Sequence, residues 1–350
     1  MTHAFPYLWK MADGYPAPGI RRNGLKVFGT FICGGGSTMG YKLAGYDHLG
    51  GVEIDPKIAE IYETNHHPLH LYVEDLRSFN QRTDLPDELF ALDILDGSPP
   101  CTTFSMNGKR EATWGKEKIF AEGQARQTLD DLVFVYCDTI AKLKPKTFIL
   151  ENVKGLALGN AKSYLKRIVL RLRDAGYVCQ VFLLNGATMG VPQKRERCFV
   201  VGRRQDLGFG PLSLSFDEPV IPFGKIIDKT DMGGGTLSST EREAYEKYKR
   251  GDKTLADTKE RTSSKKSSGF SCCWLEEDKV ANTIVTSYHL LTSFPRRINE
   301  KELLRAATFP EDYKYTNYGR LLFLTGMSVP PVMRAQIAHQ MDIQWFNKLN

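Results

Sequence analysis

A cysteine, a carboxylate and two guanidinium groups stand in this chain in contexts that suit covalent chemistry. Cys101 closes the run Asp96-Gly-Ser-Pro-Pro-Cys101 and is followed by Thr-Thr-Phe-Ser105. Two prolines remove backbone donors and stiffen the approach, which holds the thiol on a rigid polar loop at a strand exit. A cysteine so presented can be a nucleophile once its thiolate is favoured or aligned. Taken alone, it can equally be an ordinary reduced thiol. Glu151, in Leu150-Glu-Asn-Val153, stands at another strand exit, where a carboxyl group can serve as an acid or as a hydrogen-bond partner for a ring nitrogen. Its plain alternative is a solvated or capping side chain. Arg195 and Arg197 end the run Gly190-Val-Pro-Gln-Lys-Arg-Glu-Arg197. Strand alternation puts both on one face, converging on Glu151, a base carbonyl or a phosphate.

A second constellation suits a nucleotide-like ligand. Phe31-Ile-Cys-Gly-Gly-Gly36 follows a β-rich run and precedes a helix, and such a turn lets the backbone approach a ligand at the sheet's carboxyl edge. It is not the G-x-G-x-x-G fingerprint, and a glycine turn can serve chain reversal alone. Glu53, at the end of the next strand, is placed to take two ribose hydroxyls. Asp75, after the strand-like run Leu71 to Glu74, is placed to face an adenine amine.

The elements that must carry these groups alternate. Strands are expected at Leu25 to Phe31, Leu49 to Ile54, Ala91 to Leu95, Thr147 to Leu150, Tyr177 to Leu184 and Arg197 to Val201. Helices are expected from Lys57 to Asn65 after Pro56, from Ala125 to Leu143 and from Ala161 to Ala175. This alternation predicts an α/β doubly wound sheet. From Arg203 to about Ser287 the pattern breaks down into glycine-rich and charged stretches. They include the polar basic run Lys259 to Ser268, which reads as a linker or a phosphate-gripping loop. Arg297 to Phe309 and Val332 to Met341 read as helical again.

Composition sets the bounds. With 350 residues, 41% hydrophobic and 25% charged, the chain can build one large core and a smaller lobe. The net charge of +6 and a pI near 8.8 suit a polyanionic partner without requiring one. The seven cysteines show no paired C-x-x-C spacing, so no metal site is expected. No apolar run approaches the ~20 residues that cross a bilayer. The first residues, to Arg22, form an irregular arm without a signal-peptide core. An intracellular protein is the expectation.

Taken in order, these runs resemble the cytosine-5 DNA methyltransferase family: a Phe-containing glycine turn, an acid-ended strand, Pro-Pro-Cys-x-x-Phe-Ser, Glu-Asn-Val and Gln-x-Arg-x-Arg. Arg297 to Tyr313, with Glu302, Arg305 and Phe309-Pro310, is similar to the family's penultimate block. Gly326-Met-Ser-Val-Pro-Pro-Val332 is similar to its last, so the likeness runs from Leu25 to Met341.

The resemblance implies a Rossmann-like, S-adenosylmethionine-dependent methyltransferase sheet with a second, smaller target-recognition domain. The implied layout is an arm at 1–24, a catalytic and cofactor-binding domain at 25–202, the recognition domain at 203–296, and a hinge with a returning C-terminal segment at 297–350. It implies that Cys101 attacks carbon 6 of a flipped cytosine, that Glu151 engages ring nitrogen 3, that Arg197 lies near the ring carbonyl, and that Arg195 anchors the acidic group or nearby backbone. Cofactor positions carried over are Phe31, Cys33, Gly34, Gly36, Glu53, Ile54, Asp75, Leu76, Pro100, Met327, Ser328 and Val329. Ser105, Lys109 and Arg110, in a loop that closes over the site, and Thr283 are carried over as contacts to duplex DNA. Met327 departs from the family's usual Asn and removes a polar group near the donor's amino-acid end. A monomer in the cytoplasm of a bacterial or phage-infected cell, associated with the nucleoid, completes the expectation, with restriction–modification among the implied settings. The nearest rival is a tRNA cytosine-5 methyltransferase. A nicotinamide-dependent oxidoreductase would leave Pro-Pro-Cys, Glu-Asn-Val and Gln-x-Arg-x-Arg without a task.

Overall fold

A computed structural model describes residues 3–100, 132–159, 161–231, 233–263, 272–287 and 289–348. Contacts divide the chain into two compact units. The larger holds Tyr15–Asn185, Glu196–Ser215 and Arg334–Asn350; the smaller holds Met1–Gly14, Gly186–Arg195 and Phe216–Met333.

The larger unit is built on seven strands: β1 (Lys26–Thr30), β2 (Asp47–Glu53), β3 (His70–Val73), β4 (Ile94–Gly97), β5 (Thr147–Val153), β6 (Tyr177–Asn185) and, after the two-residue β7 (Gln193–Lys194) that lies outside this sheet, β8 (Glu196–Arg204). Their order is β3-β2-β1-β4-β5-β8-β6. The first five run parallel, while β8 is antiparallel to both β5 and β6. The fold is therefore α/β, as the alternation predicts. Central strands are apolar without alternation because helices cover both faces: Phe148, Ile149 and Leu150 are all fully buried.

Helices α1 (Gly36–Leu43), α2 (Pro56–His66), α3 (Leu76–Gln81), α4 (Leu132–Leu143) and α5 (Ala161–Asp174) connect the strands. Pro56 opens α2 where Asp55 caps it, its carboxylate accepting from Lys57 N. The expected helix from Ala125 is described only from Leu132 onward. The strand expected at Ala91 to Leu95 starts later, at Ile94, because Asp87–Phe90 forms a 3₁₀ turn.

In the smaller unit, part of the segment expected to be irregular is ordered. It forms α6 (Ser239–Lys247), α7 (Leu255–Ser263), β9 (Cys273–Leu275), β10 (Ala281–Asn282) and β11 (His289–Leu291). Residues 259–263 of the basic run are thus helical, and 264–268 lie outside the described residues. A small core of Leu237, Ala244, Leu255, Trp274 and Leu290 holds these elements together. Next come α8 (Glu300–Ala306), shorter than the expected Arg297 to Phe309, and α9 (Tyr318–Met327). Asn299 sets the start of α8: its side chain accepts from Glu302 N while Glu302 accepts from Asn299 N. The last long helix, α10 (Pro331–Gln344), is buried on nearly every side, and from Arg334 onward it belongs to the larger unit. Among the described residues no helix is long and apolar enough to cross a membrane.

Candidate functional site

Strand order reverses between β1 and β4, and the carboxyl ends of the two strands stand level, with Thr30 opposite Gly97. In open α/β sheets this switch point is where ligands bind. The glycine turn begins here. Phe31 and Cys33 adopt φ of 55° and 47°, a region that side-chain-bearing residues rarely enter, and Gly35 follows at 81°. Two groups hold this conformation. Glu53 Oε2 accepts from Cys33 N at 2.9 Å, and His66 Nε2 donates to Gly34 O at 3.1 Å. The His66 ring lies so close that a Cβ on Gly35 would sit 2.0 Å from its Nε2. Gly36 then starts α1.

Glu53 is buried at the end of β2, and its Oε1 accepts from Ile54 N and Asp55 N, both at 3.0 Å. Burial pushes its pKa up, and these backbone donors oppose the shift. Oε2 carries one donor and keeps acceptor capacity for a hydroxyl. Asp75 is more committed than its sequence position suggests. It caps α3, with Oδ1 accepting from Arg77 N at 2.7 Å and Oδ2 lying 3.1 Å from the Arg77 guanidinium. The Leu76 side chain packs into the main core at the first turn of α3.

Glu151 lies one residue beyond Leu150, which pairs with Gly97 of β4. It is buried, and Arg197 Nε reaches its Oε1 at 3.0 Å from the adjacent β8. Burial pulls the Arg197 pKa down from the usual guanidinium range, and Glu151 opposes this. Asn152 turns the other way and donates from Nδ2 to the Pro99 carbonyl at 3.1 Å. Half-buried Pro100 follows. Cys101, Ser105, Lys109 and Arg110 lie outside the described residues. The other cysteines of β6, β8 and α4, namely Cys179, Cys198 and Cys137, have thiols that burial pushes up to about 12, which suits structural roles.

The expected convergence of Arg195 and Arg197 does not occur. Arg195 falls between β7 and β8, and its N–H donates back to Gln193 O. The chain therefore turns at Lys194, and Arg195 stands outside β8, so two-residue alternation along that strand does not reach it. Arg195 is buried in the smaller unit, donating from Nη1 to Ile284 O at 3.1 Å and from Nη2 to Gly326 O at 2.9 Å. It braces backbone, while Arg197 braces the acid. In the same unit Thr283 Oγ1 donates to Lys194 O at 2.6 Å, beside the short pairing of β7 with β10. Met327 ends α9 half exposed, at 51%, with Ser328 and Val329 buried behind it.

Residues without an assigned role in the sequence emerge here. Asn152 was visible only as the middle of Glu-Asn-Val. His66 reads as one of several histidines near a helix end. Asp96 and Arg334, far apart in sequence, form a buried ion pair at 3.1 Å. Among the described residues no group of His, Cys, Asp and Glu could hold a metal ion.

This arrangement can seat a nucleotide-like ligand at the edge of β1 and β2, beside a braced carboxyl group on β5. Residues 25–342 match the family model described as C-5 cytosine-specific DNA methylase. The chain is 30% identical over 318 residues to Type II methyltransferase M.HpaII of Haemophilus parainfluenzae, covering 81% of this chain and 80% of that protein. It is 34% identical over 203 residues to M.Sau96I of Staphylococcus aureus, covering 57% of this chain and 44% of the relative. The chain spans about half the length of most such relatives, from 40% to 80%. A crystal structure of an Escherichia coli prophage-encoded protein, assigned as a DNA modification methyltransferase, superposes with a TM-score of 0.68 at 17% identity. It covers 91% of this chain and 99% of that one, a likeness of fold.

Proposed function

The chain belongs to the C-5 cytosine-specific DNA methylase family, and from that premise we propose that it transfers a methyl group from S-adenosylmethionine to carbon 5 of a flipped cytosine in duplex DNA. The observation that carries the reading is Glu151, buried at the exit of β5, braced by Arg197 and level with the strand exit that leads to Cys101.

Carbon 5 of cytosine is a poor nucleophile. Addition of the Cys101 thiolate to carbon 6 pushes an electron pair into the ring and makes carbon 5 enamine-like. Glu151, carrying its proton, donates to ring nitrogen 3, where negative charge would otherwise accumulate, and Arg197 fixes that carboxyl group. S-adenosylmethionine, when bound, supplies an electrophilic methyl group. Once carbon 5 has taken the methyl group and S-adenosylhomocysteine is left, solvent takes the carbon 5 proton, its electron pair rebuilds the ring double bond, and Cys101 leaves as thiolate. A base within a duplex cannot admit a thiol to carbon 6, so the target must leave the stack.

The glycine turn fits the donor. Its backbone is held open by Glu53 and His66, and Glu53 retains acceptor capacity for ribose hydroxyls. We assign Phe31, Cys33, Gly34, Gly36, Ile54, Leu76 and Pro100 to the same donor, and Met327, Ser328 and Val329 to it from the family pattern. Asp75 would meet the adenine while still capping α3. We assign Thr283, Ser105, Lys109 and Arg110 to DNA, and the segment 203–296, most of it in the smaller unit, to target recognition. The protein acts as a monomer in the cytoplasm, bound to the nucleoid.

Tritiated methyl transfer from S-adenosylmethionine tests the reading, with wild type and Cys101→Ala on unmethylated genomic duplex and on tRNA. Incorporation into duplex that is lost in Cys101→Ala is expected. Equal incorporation by both proteins, or transfer to tRNA alone, would overturn it. Bisulfite sequencing of DNA from expressing cells reads the target context.

A further inference from the structure

One charged pair in the larger unit is used by none of these steps. Arg334, on α10, is fully buried, and its Nη2 lies 3.1 Å from Oδ1 of Asp96, itself buried on β4. This is a charge contact rather than an aligned hydrogen bond, and Nη1 finds no partner among the described residues. The guanidinium is clasped between two rings, 5.5 Å from the Tyr41 centroid and 5.4 Å from that of Phe199. Arg334 Nε donates to Ser37 Oγ at 3.3 Å, and Tyr41 OH donates to Asp96 Oδ1 at 3.2 Å.

The location of this pair gives it meaning. Asp96 pairs in register with Ile149, two residues before Glu151, and Phe199 pairs with Glu151 itself. The groups facing the pair are Ser37 and Tyr41 from α1, His48 from β2, Tyr62 from α2, Tyr136 from α4, Glu151 from β5 and Phe199 from β8. The charges of Asp96 and Glu151 feel each other. Burial pushes the Asp96 carboxyl up and Arg334 opposes this. Burial likewise works against the Arg334 charge, but Asp96, Tyr41 and Glu151 hold it above its usual range.

We propose that Arg334 is a positioning residue for Glu151: it neutralises Asp96, so that Glu151 does not act as an acid beside a bare carboxylate, and its clamped side chain ties β4 to β8. This rests on the reading of Glu151 given above. An unpaired buried charge is costly, whereas removing both partners of a pair is often tolerated. The electrostatic role is therefore separable from a packing role.

Three variants test it on unmethylated genomic duplex, each with kcat and KM measured across pH and with S-adenosylhomocysteine affinity measured by calorimetry. Arg334→Met is expected to lower kcat about tenfold or more, with cofactor affinity unchanged. Its carboxylate-governed pH–rate limb should move upward by about one pH unit, because Asp96 is left uncompensated beside Glu151. Asp96→Asn combined with Arg334→Met restores charge balance and should return the limb to the wild-type position. Arg334→Lys keeps the charge but loses the planar clasp, so the limb should stay and kcat should fall to an intermediate value. If Arg334→Met fails to fold, the double variant and Arg334→Lys carry the test. An unmoved limb in a folded Arg334→Met, wild-type kcat in Arg334→Lys, or a displaced limb in the double variant overturns the proposal. Absence of methyl transfer by wild type would instead sink the reading of the site itself.

Discussion

Asn152 donates its side-chain amide to the Pro99 carbonyl at 3.1 Å and so ties the exit of β5 to the exit of β4. Glu151 and the loop to Cys101 are thereby placed by neighbouring residues on neighbouring strands. Asn152→Ala should lower kcat by ~100-fold, the scale of an ångström of misplacement, with S-adenosylhomocysteine affinity unchanged. Steady-state methyl transfer and calorimetry check this; a proportionate loss of cofactor affinity would contradict it.

Glu151→Gln keeps the shape of the side chain and removes the acid. The expected loss in kcat is ~10²- to 10⁴-fold, the range of one general acid–base group, with DNA binding retained in a gel-shift assay. Arg197→Met, which takes away the partner 3.0 Å from Glu151, should fall in the same direction by a smaller factor. Wild-type turnover in Glu151→Gln would remove Glu151 from the chemistry.

Gly35→Ala is expected to damage the donor site. Its φ of 81° disfavours any side chain, and the new Cβ would collide with the His66 ring. His66 must move, and Gly34 loses the donor on its carbonyl. Strain of this kind costs ~1–3 kcal/mol, so the melting temperature should drop and cofactor affinity should fall at least as far as that strain implies. Unaltered calorimetric affinity would show that the turn serves chain reversal alone.

Acid should weaken the fold through buried neutral histidines, His66 and His289 among them. Burial pulls His66 down to about 3 and His289 to about 4, from 6.5 when free. Above pH 7 neither ring is charged in the folded or the unfolded chain, so neither contributes a slope. As pH falls below 6.5, the unfolded chain binds protons that the native state refuses, and stability declines by up to ~1.4 kcal/mol per pH unit for each ring. Melting temperatures between pH 7.5 and 4.5 measure this, and His66→Gln should flatten the slope. An unchanged slope in that variant would place the titration elsewhere.

Met327→Asn restores a polar group beside Ser328, where the residue is half exposed and free to change without repacking a core. Cofactor affinity should rise by ~1 kcal/mol, the scale of one hydrogen bond, as read by calorimetry. No gain would show that the loss of Asn is compensated locally.

What the sequence made legible is local. The glycine turn, Glu53 at the end of β2 and Glu151 at the end of β5 each announce themselves by a motif at the end of a β-pattern, and the sheet brings these ends to one edge. Inference failed where the chain breaks its own period or closes over long distances. Arg195 and Arg197 read as neighbours on one face, yet Arg195 lies outside β8, and its guanidinium goes to the Ile284 and Gly326 carbonyls while that of Arg197 goes to Glu151. Asp75 looked free for a ligand because the start of α3, whose cap it forms through Arg77 N two residues on, was not read from the sequence. Asp96 and Arg334 are separated by most of the chain, and no periodicity links a strand aspartate to a late helical arginine.

The order in which these two residues are made has a consequence during synthesis. Asp96 emerges early, with the first strands of the larger sheet, while the cation that neutralises it arrives only on α10. Until Arg334 has left the ribosome, the nascent sheet must keep Asp96 hydrated or protonated, and its apolar face stays uncovered by α10. A message truncated just before Arg334 would therefore yield almost the whole chain but leave a sheet that cannot close: a substrate for chaperones and proteases rather than a weakly active protein.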